Sequence, residues 1–351
     1  MEKMLEGITV LDFSRNLPGP FAGVQLHELG ARVIKIENKK SPDPLSYFPP
    51  YVEEKSVYYA ALNDGKEILL LDYTADNSEV LRLAGQADIL LHSYRKGVME
   101  KMGYDYAQIS EINPAIIYVN ISGYAYEQFF SNKAGHDLNY QAHSGTLYSL
   151  ITSQSQAAPS PFLYADIFGG SMQSLQAIFL ALYSRTRTGR GRYIEISICD
   201  GMRPLCLLQA IQNQLPKGGY EPWQQALTGG LCNYNVYTCA DGQYIALGAL
   251  EPKFWQGFCE WAKHPEWIPL PLMGEKSNVK GKQLLSHFFI TKTRDEWAVL
   301  LEGTDYCISP VLRPEEIYKA TDPKMTNFSV GASNFYRPEN PILSALSQNQ
   351  P

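Results

Sequence analysis

The chain is expected to fold as an α/β protein, with a Rossmann-like parallel sheet in a large first domain and a smaller α+β domain after it. Three observations point there. Short β-branched and apolar runs alternate with helical apolar spacing through the first part of the sequence, the pattern of parallel strands covered by helices on both faces. After residue 200 that alternation stops, and Pro216-Lys217-Gly218-Gly219 breaks the chain as a linker does. Residues 233–250 then alternate polar and apolar around Asp241-Gly242, a strong hairpin signal. With 351 residues the chain can bury a sizeable core, and two or three domains are expected.

In chain order, 8–13 reads as a strand that ends at a Pro-Gly-Pro loop, and 21–29 as a helix. Residues 32–36 form a second strand, 68–71 a third, 78–84 a helix, 89–91 a fourth strand and 116–121 a fifth. The Leu-, Ala-, Gln- and Met-rich stretch 169–183 reads as a helix packed on the sheet, followed by a strand at 193–197. Helices are expected at 205–214, 254–263 and 294–301. The boundaries that follow are a large domain over 1–200, a linker helix over 201–224 and a small domain over 225–324. There is no internal repeat, and the only biased tract is a short Ser-Gln-Ala run at 153–159.

A net charge of −6 and a pI near 5.6 argue against a dedicated nucleic-acid binder, which would carry a basic face. No apolar run is long enough to span a bilayer, and the N-terminus lacks a signal-peptide pattern, so a cytoplasmic protein without membrane contact is expected. The six cysteines, at 199, 206, 232, 239, 259 and 307, form no CxxC pair. Buried free thiols are expected, with no metal site.

The chemistry concentrates at Gly135-His136-Asp137, followed by Leu138-Asn139-Tyr140. Histidine titrates near neutrality and can take or give a proton, while the adjacent aspartate can orient the motif or act as a nucleophile. The competing reading is a helix cap or a surface pair. Downstream, Tyr164-Ala165-Asp166-Ile167-Phe168-Gly169-Gly170-Ser171 places another carboxyl just before a glycine pair. Those glycines either open a helix whose N–H groups stabilise an oxyanion or merely permit close helix–sheet packing.

Ordered motifs give a family resemblance. They are Leu5-Glu6-Gly7-Ile8-Thr9-Val10-Leu11-Asp12 with Leu17-Pro18-Gly19-Pro20; Leu29-Gly30-Ala31-Arg32-Val33-Ile34-Lys35-Ile36-Glu37; Tyr94-Arg95-Lys96-Gly97-Val98; Gly135-His136-Asp137; Asp166-Ile167-Phe168-Gly169-Gly170; and Gly248-Ala249-Leu250-Glu251. Together they resemble the α-methylacyl-CoA racemase branch of the family III CoA-transferase superfamily, up to about residue 320. The resemblance implies that family's fold, a C-terminal return of 325–351 to the large domain, and an interlocked homodimer. It implies an acyl-CoA substrate, with coenzyme A entering as part of the substrate and no separate cofactor. Its reaction is epimerisation of a 2-methyl-branched acyl-CoA by proton removal on one face and return on the other. His136 and Asp166 are implied as the two bases, with Glu251 assisting the histidine from the partner's small domain.

Asp137 occupies the position where transferases of the superfamily carry the aspartate that forms an acyl anhydride. Transferases usually lack the preceding histidine, so His136 favours racemisation, while Gln141-Ala142 is reminiscent of the transferases. A family III CoA-transferase is therefore one alternative, and a catalytically weak acyl-CoA-binding homologue another. Arg95 and Lys101 match CoA-contacting positions of the family, and Lys39 and Tyr140 join them as candidates. Where relatives commonly have arginine after the second strand this chain has Asn38, with Lys39 and Lys40 beside it. The basic cluster after Asn63 is reduced to Asp64-Gly65-Lys66-Glu67. Lys39, Lys40 and Lys66 are expected to be flexible surface charges of lesser weight than Arg95.

Overall fold

A computed structural model describes residues 3–72, 77–125, 131, 133–153, 158–214, 226–319 and 324–347. The chain forms two compact units, one of Met1–Leu207 with Tyr318–Pro351 and the other of Leu208–Ile317. The Pro216-Lys217-Gly218-Gly219 break lies outside the described residues, as does most of the Ser-Gln-Ala run.

Six strands build the sheet of the first unit: β1 (Thr9–Asp12), β2 (Arg32–Asn38), β3 (Glu67–Leu71), β4 (Ile89–His92), β5 (Ile117–Ser122) and β6 (Arg192–Ser197). Their order is β3-β2-β1-β4-β5-β6, and every pairing is parallel. Leu11 pairs Ile34 on one side and Leu90 on the other, so β1 is central, with Val10, Leu11 and Asp12 buried. Successive side chains alternate between faces. Val10, Val33, Ile89, Leu91, Ile117 and Val119 pack with Leu26 and Ile178. Leu11, Ile34, Leu90 and Tyr118 pack on the other face with Val80 and Ile109. Burying each such aliphatic side chain contributes about 1.5–3 kcal/mol, which makes the sheet a rigid floor for loops at its ends. The chain turns from one side of the sheet to the other between β1 and β4. Doubly wound sheets bind ligands beyond the carboxyl ends of the strands at such a reversal.

Several boundaries differ from those expected. The first helix spans Pro18–Glu28, because the Pro-Gly-Pro expected as a loop is its first turn. Proline suits that turn, whose N–H groups have no intrahelical acceptor. The helix expected over 169–183 begins as a π-helix at Ala165–Met172 and continues as an α-helix over Gln173–Thr188. Gly169 and Gly170 therefore lie inside it rather than at its start. A Cβ on Gly169 would stand 2.4 Å from the Ile198 carbonyl oxygen, and one on Gly170 2.9 Å from the Pro18 Cβ. Close packing is what these glycines provide.

Lys66 is not a surface charge. Its ammonium is buried, donating to Asp12 Oδ2 at 2.9 Å, Pro20 O at 2.9 Å and Asn63 Oδ1 at 3.0 Å. Burial pulls its pKa down to about 8 against the pull of Asp12. Lys35 is equally buried, pairs with Asp43 Oδ2 at 3.0 Å and donates to the Ser14 carbonyl. These two pairs clamp the turn that leaves β1, since Asp43 Oδ1 also accepts the Asn16 N–H at 2.9 Å. An uncompensated charge at either place would be costly.

The second unit carries the expected hairpin, with Tyr234–Thr238 antiparallel to Tyr244–Gly248 and Gly242 at φ +74° in its turn. Ile308–Pro310 adds a third strand. Helices span Pro252–Trp261, Glu275–Phe289 and Arg294–Leu301. Trp255, Phe258, Phe289 and Trp297 fill its core. The middle helix was not expected, because Asn278 and Gly281 lie on its buried side; Gly281 allows Cys232 to approach. All six cysteines are free, with Cys199, Cys232, Cys239 and Cys259 buried. Cys206 is half-buried and Cys307 is exposed, against the expectation of uniformly buried thiols.

Candidate active site

A cavity of about 280 Å³ opens beyond the carboxyl ends of β1, β4 and β5. Asn16 comes from the turn after β1, Ser93, Tyr94 and Arg95 from the segment after β4, and Ser122, Gly123 and Tyr124 from the end of β5. Lys133, Gly135, His136 and Tyr140 close it. The position is the one the strand order favours, and the walls are mainly hydroxyls, amides and cations. Such a lining suits the polar part of a ligand rather than an apolar chain.

His136 sits immediately before the helix Asp137–Ser144, exposed on the cavity wall, and its own N–H donates to Asn139 Oδ1 at 3.0 Å. The helix-cap reading of the His-Asp pair is therefore correct for the backbone of His136, which is the N-cap of that helix. Tyr140 is buried and donates its hydroxyl to the Gly135 carbonyl at 2.5 Å. Added Cβ atoms would stand 2.4 Å from its ring at Gly123 and 2.7 Å at Gly135, which explains the glycine before His136. Burial holds its phenol above the ordinary range.

Asp137 is buried and its two oxygens have distinct partners. Oδ1 accepts the N–H groups of Ala165 at 2.8 Å and Asp166 at 3.0 Å, and Oδ2 accepts Gln141 Nε2 at 2.5 Å. It thus caps the helix Ala165–Met172, and the helix starts where its first N–H groups find that carboxylate. Asp166, in the first turn, is partly buried. Burial first, and the Asp137 charge second, push its carboxyl up to about 7. A carboxyl so placed can be neutral or ionised near neutrality, as an acid–base group requires.

Of the residues expected from sequence, His136, Arg95 and Tyr140 line one cavity, whereas Asp137 and Asp166 are not among its lining residues; Asp137 follows His136 in the chain and accepts the Asp166 N–H. Arg95 is exposed and also lines a second cavity of about 340 Å³ with His92, Lys96, Tyr106, Tyr118 and Tyr193. Lys101 and Lys39 are exposed and line neither cavity. Glu251 is exposed in the second unit, at the start of Pro252–Trp261. Asn16, Ser93, Tyr124 and Lys133 were not singled out from sequence. The signal that finds them is positional, since the first three follow the carboxyl ends of predicted strands. His92 is buried, which pulls its pKa down to about 3 and keeps it neutral. Among the described residues no cluster of histidine, cysteine or acidic side chains is arranged to hold a metal ion.

Residues 5–334 match the profile of CoA-transferase family III. The α-methylacyl-CoA racemase of Homo sapiens is 32% identical over 89% of this chain and 79% of its own length. Succinyl-CoA:glutarate CoA-transferase of Mus musculus is 30% identical over 90% of this chain and 74% of its own. Among solved structures, a CAIB/BAIF family protein from Brucella suis superposes with a TM-score of 0.72 at 25% identity, covering 89% of this chain and 85% of that one. Rv3272 from Mycobacterium tuberculosis shares the fold with a TM-score of 0.79 at 24% identity, covering 95% and 92%.

Proposed function

The chain belongs to CoA-transferase family III, and from that premise we propose that it is an α-methylacyl-CoA racemase-like enzyme acting on 2-methyl-branched acyl-CoA thioesters. What supports the proposal is a histidine on the cavity wall followed by an aspartate that holds the N–H of a second, partly buried aspartic acid with a raised pKa. His136 stands on the cavity wall, and Asp166, whose carboxyl is held near 7, follows the residue that Asp137 anchors.

In the proposed step one group removes the α-proton and the C–H electron pair moves into the carbon–carbon bond of an enolate, with negative charge on the thioester oxygen. The other group returns a proton to the opposite face, and the electron pair moves back to the α-carbon. Neither oxidant nor co-reactant is needed. An imidazole and a carboxyl can exchange tasks when the substrate has the opposite configuration. Glu251 assists His136 from the partner subunit of an interlocked homodimer. Coenzyme A enters as part of the substrate, with Arg95 as the principal phosphate contact and Lys101, Lys39 and Tyr140 in support; Arg95 forms no ion pair with another described residue. The test is stereochemical. A single epimer of a 2-methylacyl-CoA should convert to a mixture, read by chiral chromatography, and retention of configuration after prolonged incubation would reject the proposal.

A second reading is favoured by the transferase relatives at comparable identity. In it, the Asp137 carboxylate attacks an acyl-CoA to form an anhydride and release CoA thiolate. The thiolate attacks the aspartyl carbonyl and expels the donor carboxylate, the acceptor carboxylate displaces the thiolate to form a second anhydride, and attack of the thiolate on the acceptor acyl carbon yields the new acyl-CoA and frees Asp137. Trapping with hydroxylamine in the presence of acyl-CoA marks that intermediate.

A further inference from the structure

We infer that Asn16 is a further catalytic residue: its carboxamide N–H donates to the carbonyl oxygen of the bound thioester and stabilises the negative charge that gathers there when the α-proton leaves. The inference rests on the racemase-like reading for the step it accelerates, but the hydrogen bond itself does not depend on which group takes the proton.

An enolate needs donors at its oxygen, and donors fixed in place before the charge appears stabilise it most. Gly169 and Gly170 do not open a helix for that purpose, because both lie inside Ala165–Met172. The donor then comes from the cavity wall, where several polar groups are already engaged. Ser122 Oγ donates to the Tyr124 carbonyl at 2.9 Å, the Tyr140 hydroxyl donates to the Gly135 carbonyl, and Ser93 Oγ accepts the Arg15 N–H at 2.8 Å. Asn16 differs. It lines the same cavity as His136, is exposed, and its carboxamide has no hydrogen-bond partner among the described residues. A thioester that brings its α-carbon to His136 carries its carbonyl oxygen on the adjacent carbon, inside that one cavity.

The backbone of Asn16 supplies a second observation. It stands at φ +66°, in the left-handed region that side chains seldom adopt and that asparagine tolerates better than most. The turn around it is held from several sides. The Asn16 N–H donates to Asp43 Oδ1 at 2.9 Å, and the buried Asp43 is paired through Oδ2 with Lys35 Nζ at 3.0 Å. One residue earlier, the Arg15 guanidinium donates to the Pro42 carbonyl at 2.7 Å. One residue later, the Leu17 carbonyl accepts the Phe21 N–H at 2.9 Å in the first turn of Pro18–Glu28. A buried ion pair therefore fixes the backbone beneath an exposed amide, the arrangement a preorganised donor requires. Backbone strain of this kind persists where the surroundings over-determine it, and it clusters at functional sites. Glycine would satisfy the conformation equally well, so a glycine substitution separates the turn from the carboxamide.

The experiment compares wild type with Asn16→Gly and Asn16→Asp. Exchange of the α-proton of a 2-methylacyl-CoA in deuterated water gives kcat and KM. The infrared carbonyl stretch of the same bound substrate, isotopically labelled at the thioester carbon, reports the hydrogen bond directly. Asn16→Gly keeps the left-handed backbone and should lower kcat by about a hundred- to a thousandfold with KM little changed, the scale of one lost oxyanion donor. Its bound carbonyl should absorb at higher frequency than in wild type. Asn16→Asp tolerates the same backbone, offers no N–H and adds a negative charge, so it should be slower still. An Asn16→Gly enzyme with the kcat of wild type, or one that loses kcat while the carbonyl stretch stays unmoved, would overturn the inference, as would an Asn16→Asp enzyme as fast as wild type. If wild type itself exchanged no α-proton, the racemase-like reading would fail, and the carbonyl stretch in the two variants would still decide the hydrogen bond.

Discussion

Burial and the neighbouring Asp137 carboxylate push Asp166 from 3.8 up to about 7, and this has a consequence for stability as well as for acid–base chemistry. Between those values the folded chain binds more protons at this site than the unfolded chain does, so its contribution to stability falls as pH rises through the window and is constant above it. Asp166→Asn removes the ionisation. The variant should therefore unfold at a higher temperature than wild type above pH 7, with the gain shrinking as pH falls towards 4, at roughly 1.4 kcal/mol per unit of displacement. The same variant should lose α-proton exchange by a factor of about a hundred to ten thousand. Calorimetric melting across pH checks the first expectation; a pH-independent difference would mean that Asp166 titrates normally. Arg95→Ala should weaken free CoA and acyl-CoA together by about ten- to a hundredfold, the cost of a lost charge-assisted hydrogen bond. Titration calorimetry of CoA into Arg95→Ala and Lys39→Ala ranks the two, and a larger effect at Lys39 would move the phosphate site to the loop after β2. At this scale His136 and Asp137 stood out in the sequence by residue type, and Asp166 through the family resemblance. Asn16, Ser93 and Lys133 did not, since an amide, a hydroxyl or a lone lysine carries no chemical signature until the fold brings it to the cavity.

Elements show where local signals and packing disagree. Strand and hairpin positions followed from apolar periodicity, and Asp241-Gly242 marked its turn correctly because Gly242 adopts φ +74°. Helix starts were misplaced at Pro18 and Ala165, each for a nonlocal reason: prolines that read as a loop occupy a first turn, and the cap of the second helix comes from Asp137, 28 residues upstream of Ala165. Gly169→Ala should destabilise the first unit by about 1–3 kcal/mol, because the new methyl meets the Ile198 carbonyl rather than a movable side chain. Lys66 is the clearest failure of composition-based reasoning. A lysine in a charged-looking turn was expected in solvent, yet its ammonium satisfies Asp12, Pro20 and Asn63 in the interior. Lys66→Met should cost about 3–5 kcal/mol by stranding the Asp12 carboxylate, and adding Asp12→Asn should recover part of that loss. Denaturant melts of the two proteins test it, and equal stabilities would show that Asp12 relaxes to water.

At the scale of the whole molecule, the strand order β3-β2-β1-β4-β5-β6 explains why residues distant in sequence share a site. The reversal between β1 and β4 opens a crevice at the carboxyl ends of the strands, and the turns bearing Asn16, Ser93 and Tyr124 are delivered to it. Alternating strands made the parallel sheet legible from sequence, whereas the clamp on the β1 turn by Lys35 and Asp43 depends on pairings that no local pattern encodes. If Glu251 acts across subunits as proposed, the protein should sediment as a dimer at nanomolar concentration and its monomers should be inactive; an active monomer would remove Glu251 from the scheme. The most direct test of the proposed chemistry is α-deuterium incorporation from deuterated water into a panel of acyl-CoAs, read by mass spectrometry with a carboxylic acid acceptor present. The account predicts deuterium at the α-carbon of 2-methyl-branched substrates with the thioester intact, and loss of that exchange in His136→Ala and Asp166→Ala. Transfer of CoA to the acceptor without any α-deuterium would contradict it.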